Sequence, residues 1–159
     1  AGSRFRRLAD LRKTSCAINS PTSHSGMNAL RTAIAPLARD GRFFSDIEVS
    51  GAHEVSVAWV ASGRVDVAAI DCVTYALLRR YRPPAIAELR ILYTTELAPA
   101  PPFVTRASAP PELIADLRAA LAEAMPDPAL GLIGVDAVEV SDYQVIADLD
   151  GRAESLGYL

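Results

Sequence analysis

The chain has 159 residues, half of them hydrophobic, and a formal net charge of -3. This length and composition fit one domain of ordinary size with a substantial core. The negative balance argues against a role that depends on neutralising nucleic-acid phosphates. No apolar run reaches the roughly 18 residues that a membrane-spanning helix needs, and the amino terminus of this chain lacks the apolar stretch of a signal peptide.

The first part of the chain alternates short β-prone runs with helical patterns. A basic segment over 1–13 leads in and is interpreted as a solvated face. The run at 65–70 is almost continuously apolar, which predicts a strand buried on both faces of a parallel sheet. The predicted strands are 14–18, 47–50, 65–70 and 89–95, and the predicted helices are 25–38, 53–62 and 71–81.

The second part of the chain is predicted to be largely helical. A Pro-rich stretch at 98–102 indicates a crossing segment, since it is too short and too tightly flanked by apolar residues to be a free tether. The clearest helical periodicity lies at 110–125, with proline at its start. A loop with a short β-like run over 138–140 precedes a last helix at 142–156. These elements predict an α/β fold.

The cysteine and histidine content limits the chemistry that the chain can support. Cys16 and Cys72 lie in or beside predicted core strands and are expected to be buried free thiols, although two cysteines alone leave a disulfide open. The only histidines are His24 and His53, and no Cys-x-x-Cys occurs. We therefore predict no metal and no other cofactor.

Polar residues follow three of the predicted strands, where each strand turns into a helix. The carboxyl ends of parallel strands meet at one edge of a sheet, where ligands bind. Backbone N–H groups at helix starts attract anions, and hydroxyl and imidazole groups add donors. The sequence thus predicts a pocket for a small oxyanion. Its candidate residues are Ser23, Ser25, Gly26, His53, Asp71 and Thr74.

Each candidate also has a purely structural explanation. Ser25, Asp71 and Thr74 are ordinary helix-capping residues, and His53 is explained equally well as a surface histidine. A carboxylate beside an oxyanion would repel it, so Asp71 implies a ligand with a protonated oxygen or an ammonium group. The coincidence of three such turns at one sheet edge favours the shared pocket.

Three segments resemble the phosphate, phosphite and phosphonate substrate-binding proteins of ABC transporters. Their Ser-x-Ser-Gly helix start is similar to Asn19-Ser-Pro-Thr-Ser-His-Ser-Gly26. Their Gly-Ser-His segment is similar to Ser50-Gly-Ala-His-Glu-Val-Ser-Val57. Their Gly-x-x-Asp-Val-Ala-Ala-Ile-Asp stretch is similar to Ala61-Ser-Gly-Arg-Val-Asp-Val-Ala-Ala-Ile-Asp71. The resemblance covers nearly the whole chain from Leu8 onward.

The resemblance implies the type II periplasmic-binding-protein fold, in which two α/β lobes clamp a ligand in the cleft between them. It implies that Ser23, Ser25 and Gly26 hold a phosphorus-centred oxyanion, that His53 donates to it and that Asp71 faces it. It also implies ABC transporter membrane subunits as partners and a periplasmic or cell-surface location. His24 stands where the family often has a small hydroxylated residue, so it receives no role.

One departure from the family is large, because the segment that would form most of the first lobe does not precede these residues. We expect 14–95 to be a complete second lobe and 96–159 to be the crossing segment and the C-terminal helices of a partial first lobe. A partial lobe would expose apolar surface, which predicts self-association or repacking of 96–159.

The preferred function is binding of a small phosphonate, phosphite or phosphate-like solute for an ABC importer, without enzymatic activity. One alternative is a ligand-sensing regulatory module with the same fold. Another is a hydrolase that uses Ser25, His53 and Asp71, although the chain lacks a Gly-x-Ser-x-Gly elbow and places the three residues at separate helix starts.

Overall fold

The computed structural model describes residues 3–158. Its sheet has three parallel strands: β1 (Ser15–Ile18), β2 (Asp46–Val49) and β3 (Val67–Ala68). The five α-helices are α1 (Ala29–Ile34), α2 (His53–Ala61), α3 (Cys72–Tyr81), α4 (Pro111–Ala124) and α5 (Gln144–Ser155). Short 3₁₀ helices cover Leu8–Leu11, Ala35–Leu37, Pro83–Ile86 and Val140–Tyr143, and a π-helical turn covers His24–Asn28.

The strand order is β2-β1-β3, so β1 is the central strand and the other two lie at the edges. Ser15 pairs with Asp46 and Ile18 with Val49 along one side of β1, and Cys16 pairs with Val67 along the other. Each strand is followed by a helical segment, as the βαβ pattern of the sequence predicts. The α/β class and the parallel sheet are therefore confirmed.

The main hydrophobic core lies around β1. Leu11, Cys16, Ile18, Ile34 and Phe43 are almost completely buried. They form one cluster that also includes side chains of α1 and α5. A smaller cluster joins α2 to α3 and the 3₁₀ helix after it, through Val57, Leu78 and Ile86.

The chain divides into two compact units by its internal contacts. One contains the residues up to 97 together with those from 144 onward, and the other is 98–143. In the first unit α5 packs against α1, and its Leu149 and Ala153 are buried. In the second unit α4 has no buried residue. The assignment of 14–95 and 96–159 to two lobes stays a prediction.

Three predicted β segments differ from the structure. The apolar run 65–70 forms a strand only at β3, whose residues are half-buried, because β3 lies at a sheet edge and one side of it has no neighbouring strand. No strand forms at 89–95 or at 138–140. Leu92 nevertheless packs against the main core.

The predicted helices are all found, with changes at their ends. The helix expected from residue 25 begins instead with the π-helical turn at His24 and ends in a 3₁₀ turn that contains Pro36. Proline has no N–H and clashes with the preceding turn, which explains that ending. The last helix is also shorter than predicted, since α5 begins at Gln144 after a 3₁₀ turn.

The two cysteines are in different environments. Both thiols are free, but only Cys16 is buried, while Cys72 is exposed at the start of α3. The prediction of a buried Cys72 is thus wrong. Across residues 3–158, none of the helices combines the length and the apolar character that crossing a bilayer requires.

Candidate functional site

The three polar turns lie together at the carboxyl end of the sheet. The N–H groups of Ser50 and Gly51, after β2, donate at 2.8 and 3.1 Å to the carbonyls of Ile18, which ends β1, and of Asn19, which follows it. After β3, the N–H of Ala69 donates to the Ala17 carbonyl at 3.4 Å. These backbone bonds continue the parallel ladder past the strand ends and hold the turns side by side.

His53 connects the three turns. Its Nδ1 lies 3.2 Å from the Ala69 carbonyl oxygen, and its Nε2 lies 3.2 Å from Ser25 Oγ. A carbonyl can only accept, so Nδ1 carries the proton and donates. In the neutral imidazole Nε2 is then the acceptor for the Ser25 hydroxyl. His53 therefore has a fixed ring orientation and is not a free surface side chain.

Asp71 uses its two carboxylate oxygens differently. Oδ1 accepts from the N–H groups of Val73 and Thr74, both at 2.9 Å, so Asp71 is the N-cap of α3. Oδ2 lies 3.7 Å from His53 Nε2. The capping explanation of Asp71 is thus correct, but it occupies only one oxygen. The other oxygen, Oδ2, faces His53.

The turn after β1 supplies the remaining donors. Ser23, and not Ser25, is the N-cap: its Oγ accepts from the Gly26 N–H at 3.0 Å, which corrects the expected cap. The backbone N–H groups of His24 and Ser25 form no hydrogen bond with another residue of the described chain. The hydroxyl proton of Ser23 remains available as well. Local π-helical turns are frequent at functional sites.

His24 is the first residue of the π-helical turn, and its side chain contacts Asn28. Its Nδ1 lies 3.2 Å from the side-chain nitrogen of Asn28, which donates also to the Ile146 carbonyl in α5 at 3.0 Å. Burial lowers the pKa of His24, which suits a neutral ring that accepts from an amide. Asn28 thus connects the turn to α5, and His24 contacts the Asn28 side chain that does so.

The structure brings together three of the predicted site residues through their side chains: Ser25, His53 and Asp71. Ser23 and Gly26 lie in the same turn as Ser25 and contact one another. Thr74 contacts Asp71 through its backbone N–H. Among residues 3–158 no group of three His, Cys, Asp or Glu side chains has the arrangement of a metal site.

The geometry differs from a Ser-His-Asp catalytic triad. In a triad the serine and the carboxylate contact opposite nitrogens of the imidazole, so that the carboxylate orients the ring while the other nitrogen takes the proton. Here Ser25 and Asp71 both face Nε2, and Nδ1 is held by a backbone carbonyl. Asp71 cannot orient His53 as a triad carboxylate does.

Sequence reasoning missed two polar residues of the site. Ser50 Oγ lies 2.6 Å from the buried Ser56 Oγ and 3.1 Å from the Ile18 carbonyl oxygen, so it connects the second turn to the first. Asn19 places its Oδ1 in a buried position over Gly26. Both follow directly after a strand, which is the one signal in the sequence that marks them.

A parallel sheet with polar helix starts along its carboxyl edge is the architecture of an α/β ligand-binding protein. The model of the family described as "ABC transporter, phosphonate, periplasmic substrate-binding protein" matches residues 1–142. The chain therefore belongs to the family of periplasmic substrate-binding proteins of phosphonate ABC transporters. A search of curated proteins finds no match to the chain.

Family membership confirms the resemblance seen in the sequence. It makes the protein a periplasmic substrate-binding component of a phosphonate ABC transporter, whose partners are a small-molecule ligand and transporter membrane subunits. Substrate-binding proteins of this kind are generally not enzymes. The residues beyond 142 lie outside the match and contain α5.

Proposed function

We propose that the chain binds a small phosphorus oxyanion at the carboxyl end of its sheet and delivers it to an ABC importer. The observation that carries this proposal is the convergence of Ser25, His53 and Asp71 from three separate turns on one point, His53 Nε2. Capping alone would not require three turns to place polar side chains within contact of each other.

The donors come chiefly from the first turn and from His53. The N–H groups of His24 and Ser25 and the hydroxyls of Ser23 and Ser25 supply uncharged hydrogen-bond donors, as helix starts do for phosphate groups. His53 adds a donor at Nε2 where its imidazolium form meets a ligand oxygen, which makes a charge-assisted hydrogen bond. Gly26 has no side chain to crowd this turn.

Asp71 gives the site its selectivity. Its Oδ2 is an acceptor, so it suits a ligand that brings a proton: a singly protonated phosphonate or phosphite oxygen, or an ammonium group. Sulfate carries no proton near neutral pH and would meet repulsion there. We therefore expect the site to select phosphorus oxyanions over sulfate.

Calorimetry on the whole chain tests the proposal. The ligands are methylphosphonate, 2-aminoethylphosphonate, phosphite, phosphate, sulfate and taurine. At least one phosphorus oxyanion should bind, and Ser25→Ala should weaken it about 10- to 100-fold, the loss of one hydrogen bond to a charged group. Ser62→Ala, at the far end of α2, is the matched control and should leave affinity unchanged.

Asp71→Asn tests the selectivity without removing the cap. Asparagine still offers one oxygen to the N–H groups of Val73 and Thr74, but replaces the free Oδ2 with a donor. The variant should bind protonated oxyanions more weakly and sulfate more strongly. Equal affinities in wild type, Ser25→Ala and Asp71→Asn would reject the site. If the wild type hydrolyses a phosphonate ester and Ser25→Ala abolishes that activity, the result would instead support the hydrolase alternative.

A further inference from the structure

Asn19, in the turn after β1, has a side-chain oxygen, Oδ1, without a hydrogen-bond partner in the part of the chain that the structure describes. Its Oδ1 is buried and forms no hydrogen bond within residues 3–158. Its backbone carbonyl, in contrast, accepts from the N–H of Gly51 in the second turn. Buried polar atoms are normally paired, so an unpaired one requires an explanation.

This oxygen lies in close contact with Gly26. A Cβ atom on Gly26 would lie 1.7 Å from Asn19 Oδ1 and 2.9 Å from its Cγ, which no real pair of atoms tolerates. The backbone of Gly26 is not in the left-handed region that favours glycine. With the Asn19 side chain in this position, a Cβ at residue 26 does not fit, and the reason is the close approach of Asn19 and not backbone conformation.

We propose that Asn19 is a positioning residue of the binding site. Its side-chain oxygen fills the space over Gly26 and fixes the turn that presents Ser25 to His53. The part of this inference that concerns ligand affinity rests on the proposed function.

The hydrogen bonds around Gly26 show how the effect reaches Ser25. The N–H of Gly26 donates to Ser23 Oγ, and the N–H groups of Met27 and Asn28 both donate to the Ser23 carbonyl at 3.0 Å. Ser25 lies inside this closed turn, with its Oγ 3.2 Å from His53 Nε2. A displacement of Gly26 would open the turn and move Ser25 away from His53.

Asn19 also joins the first turn to the second. Its backbone holds Gly51, two residues before His53, while its side chain holds Gly26, one residue after Ser25. The same residue therefore fixes both partners of the Ser25–His53 contact. Asn19 touches neither of them through a hydrogen bond, so its role is positional.

A rescue experiment tests the contact directly. Gly26→Ala should lower both the melting temperature and the affinity for methylphosphonate, the latter at least tenfold, because its Cβ collides with Asn19. Asn19→Ala should weaken binding less, by a few-fold. The double variant Asn19→Ala, Gly26→Ala should recover most of the affinity that Gly26→Ala loses. Gly151→Ala, where an added Cβ meets nothing within 4 Å, is the control and should behave as wild type in binding.

A second readout does not depend on the ligand. The imidazole ¹⁵N resonances of His53 report whether Nε2 accepts a hydrogen bond, and only His24 has to be distinguished from it. Gly26→Ala should shift the Nε2 resonance away from its hydrogen-bonded value at a temperature where the protein remains folded. The double variant should restore it.

The outcomes separate the two proposals. If wild type does not bind methylphosphonate but the ¹⁵N shifts follow the rescue pattern, the ligand assignment fails and the role of Asn19 stands. If the double variant is no better than Gly26→Ala in either readout, the role of Asn19 is wrong. If Gly26→Ala does not fold, a folded double variant supports the inference and an unfolded one overturns it.

Discussion

Helices α1 and α4 show opposite relations between sequence signal and packing. The 14 residues of α4 have the clearest helical periodicity of the chain, yet none of them is buried. The six residues of α1 are followed by a proline-containing 3₁₀ turn, yet four of them are buried against the central strand and α5. Periodicity predicts that a segment is helical, but partners decide what its apolar face contributes to stability.

The largest loss of stability should come from truncating a buried side chain of α1. Ile34 is 1% exposed and packs in the main cluster, so Ile34→Ala should cost about 2–5 kcal/mol of unfolding free energy. Leu117, in α4, is 43% exposed. Leu117→Ala should cost less than about 1 kcal/mol. Urea unfolding followed by far-UV circular dichroism measures both.

Equal losses of unfolding free energy in the two variants would contradict the difference between α1 and α4, since they would mean that α4 is buried in solution. In that case size-exclusion chromatography with light scattering should show self-association, as predicted for 96–159. A monomer with equal losses would contradict the exposure of α4 itself.

The second effect concerns Cys16 beneath α1. Burial raises the pKa of the Cys16 thiol from its ordinary value of 9.0 to about 12. The unfolded chain loses this proton first as pH rises, so the stability due to the neutral thiol is complete below pH 9 and is lost between pH 9 and 12. By pH 10 the loss should be on the order of 1 kcal/mol.

Other groups also titrate in this range, so the variant Cys16→Ala isolates the thiol. Unfolding free energy measured at pH 8 and pH 10 should fall less in Cys16→Ala than in wild type. Cys72→Ala, which removes the exposed thiol, should keep the wild-type dependence. An unchanged pH dependence in Cys16→Ala would show that this thiol is accessible to water.

The third prediction concerns the side-chain hydrogen bond between α1 and α5. The buried hydroxyl of Thr32 lies 3.0 Å from the Asn28 carbonyl oxygen and 2.8 Å from that of Leu149 in α5. Thr32→Val keeps the shape and removes the hydrogen bond, which should cost about 1 kcal/mol. The exposed Thr105 provides the control, and Thr105→Val should change stability by less than about 0.5 kcal/mol.

The fold was predictable where local signals and tertiary partners agree. The helix at 72–81 was correct because Asp71 caps it and its periodicity matches its buried face. The strand predicted at 89–95 was wrong because strand formation depends on a partner strand, which the structure does not give this segment. The run 65–70, apolar except for Asp66, does not reveal that its strand is only two residues long. Arg31 pairs with Asp150 across 119 positions of the chain, and no local pattern marks such a contact.

The candidate site was predictable at the level of residue positions but not of contacts. Polar residues after strands located Ser25, His53 and Asp71, since parallel strands bring their carboxyl ends together. The sequence did not show that Ser25 and Asp71 face the same nitrogen of His53, nor that Ser23 is the cap. These depend on side-chain orientation, which the spacing of residues does not determine.

The smallest effect comes from two glycines with opposite backbone requirements. Gly151 lies exposed within α5, outside the left-handed region, and an added Cβ meets nothing within 4 Å. Gly151→Ala should stabilise the chain by about 0.5–1 kcal/mol, because alanine loses less conformational freedom in a helix. Gly63 ends α2 with a φ of 75°, so Gly63→Ala should destabilise by about 1 kcal/mol although space is available.

Since α5 packs on α1, stabilisation by Gly151→Ala should appear in the unfolding of the sheet-containing unit, followed by the fluorescence of Trp59 in α2. A gain seen only by circular dichroism, with no change in the Trp59 transition, would show that α5 folds independently of the core.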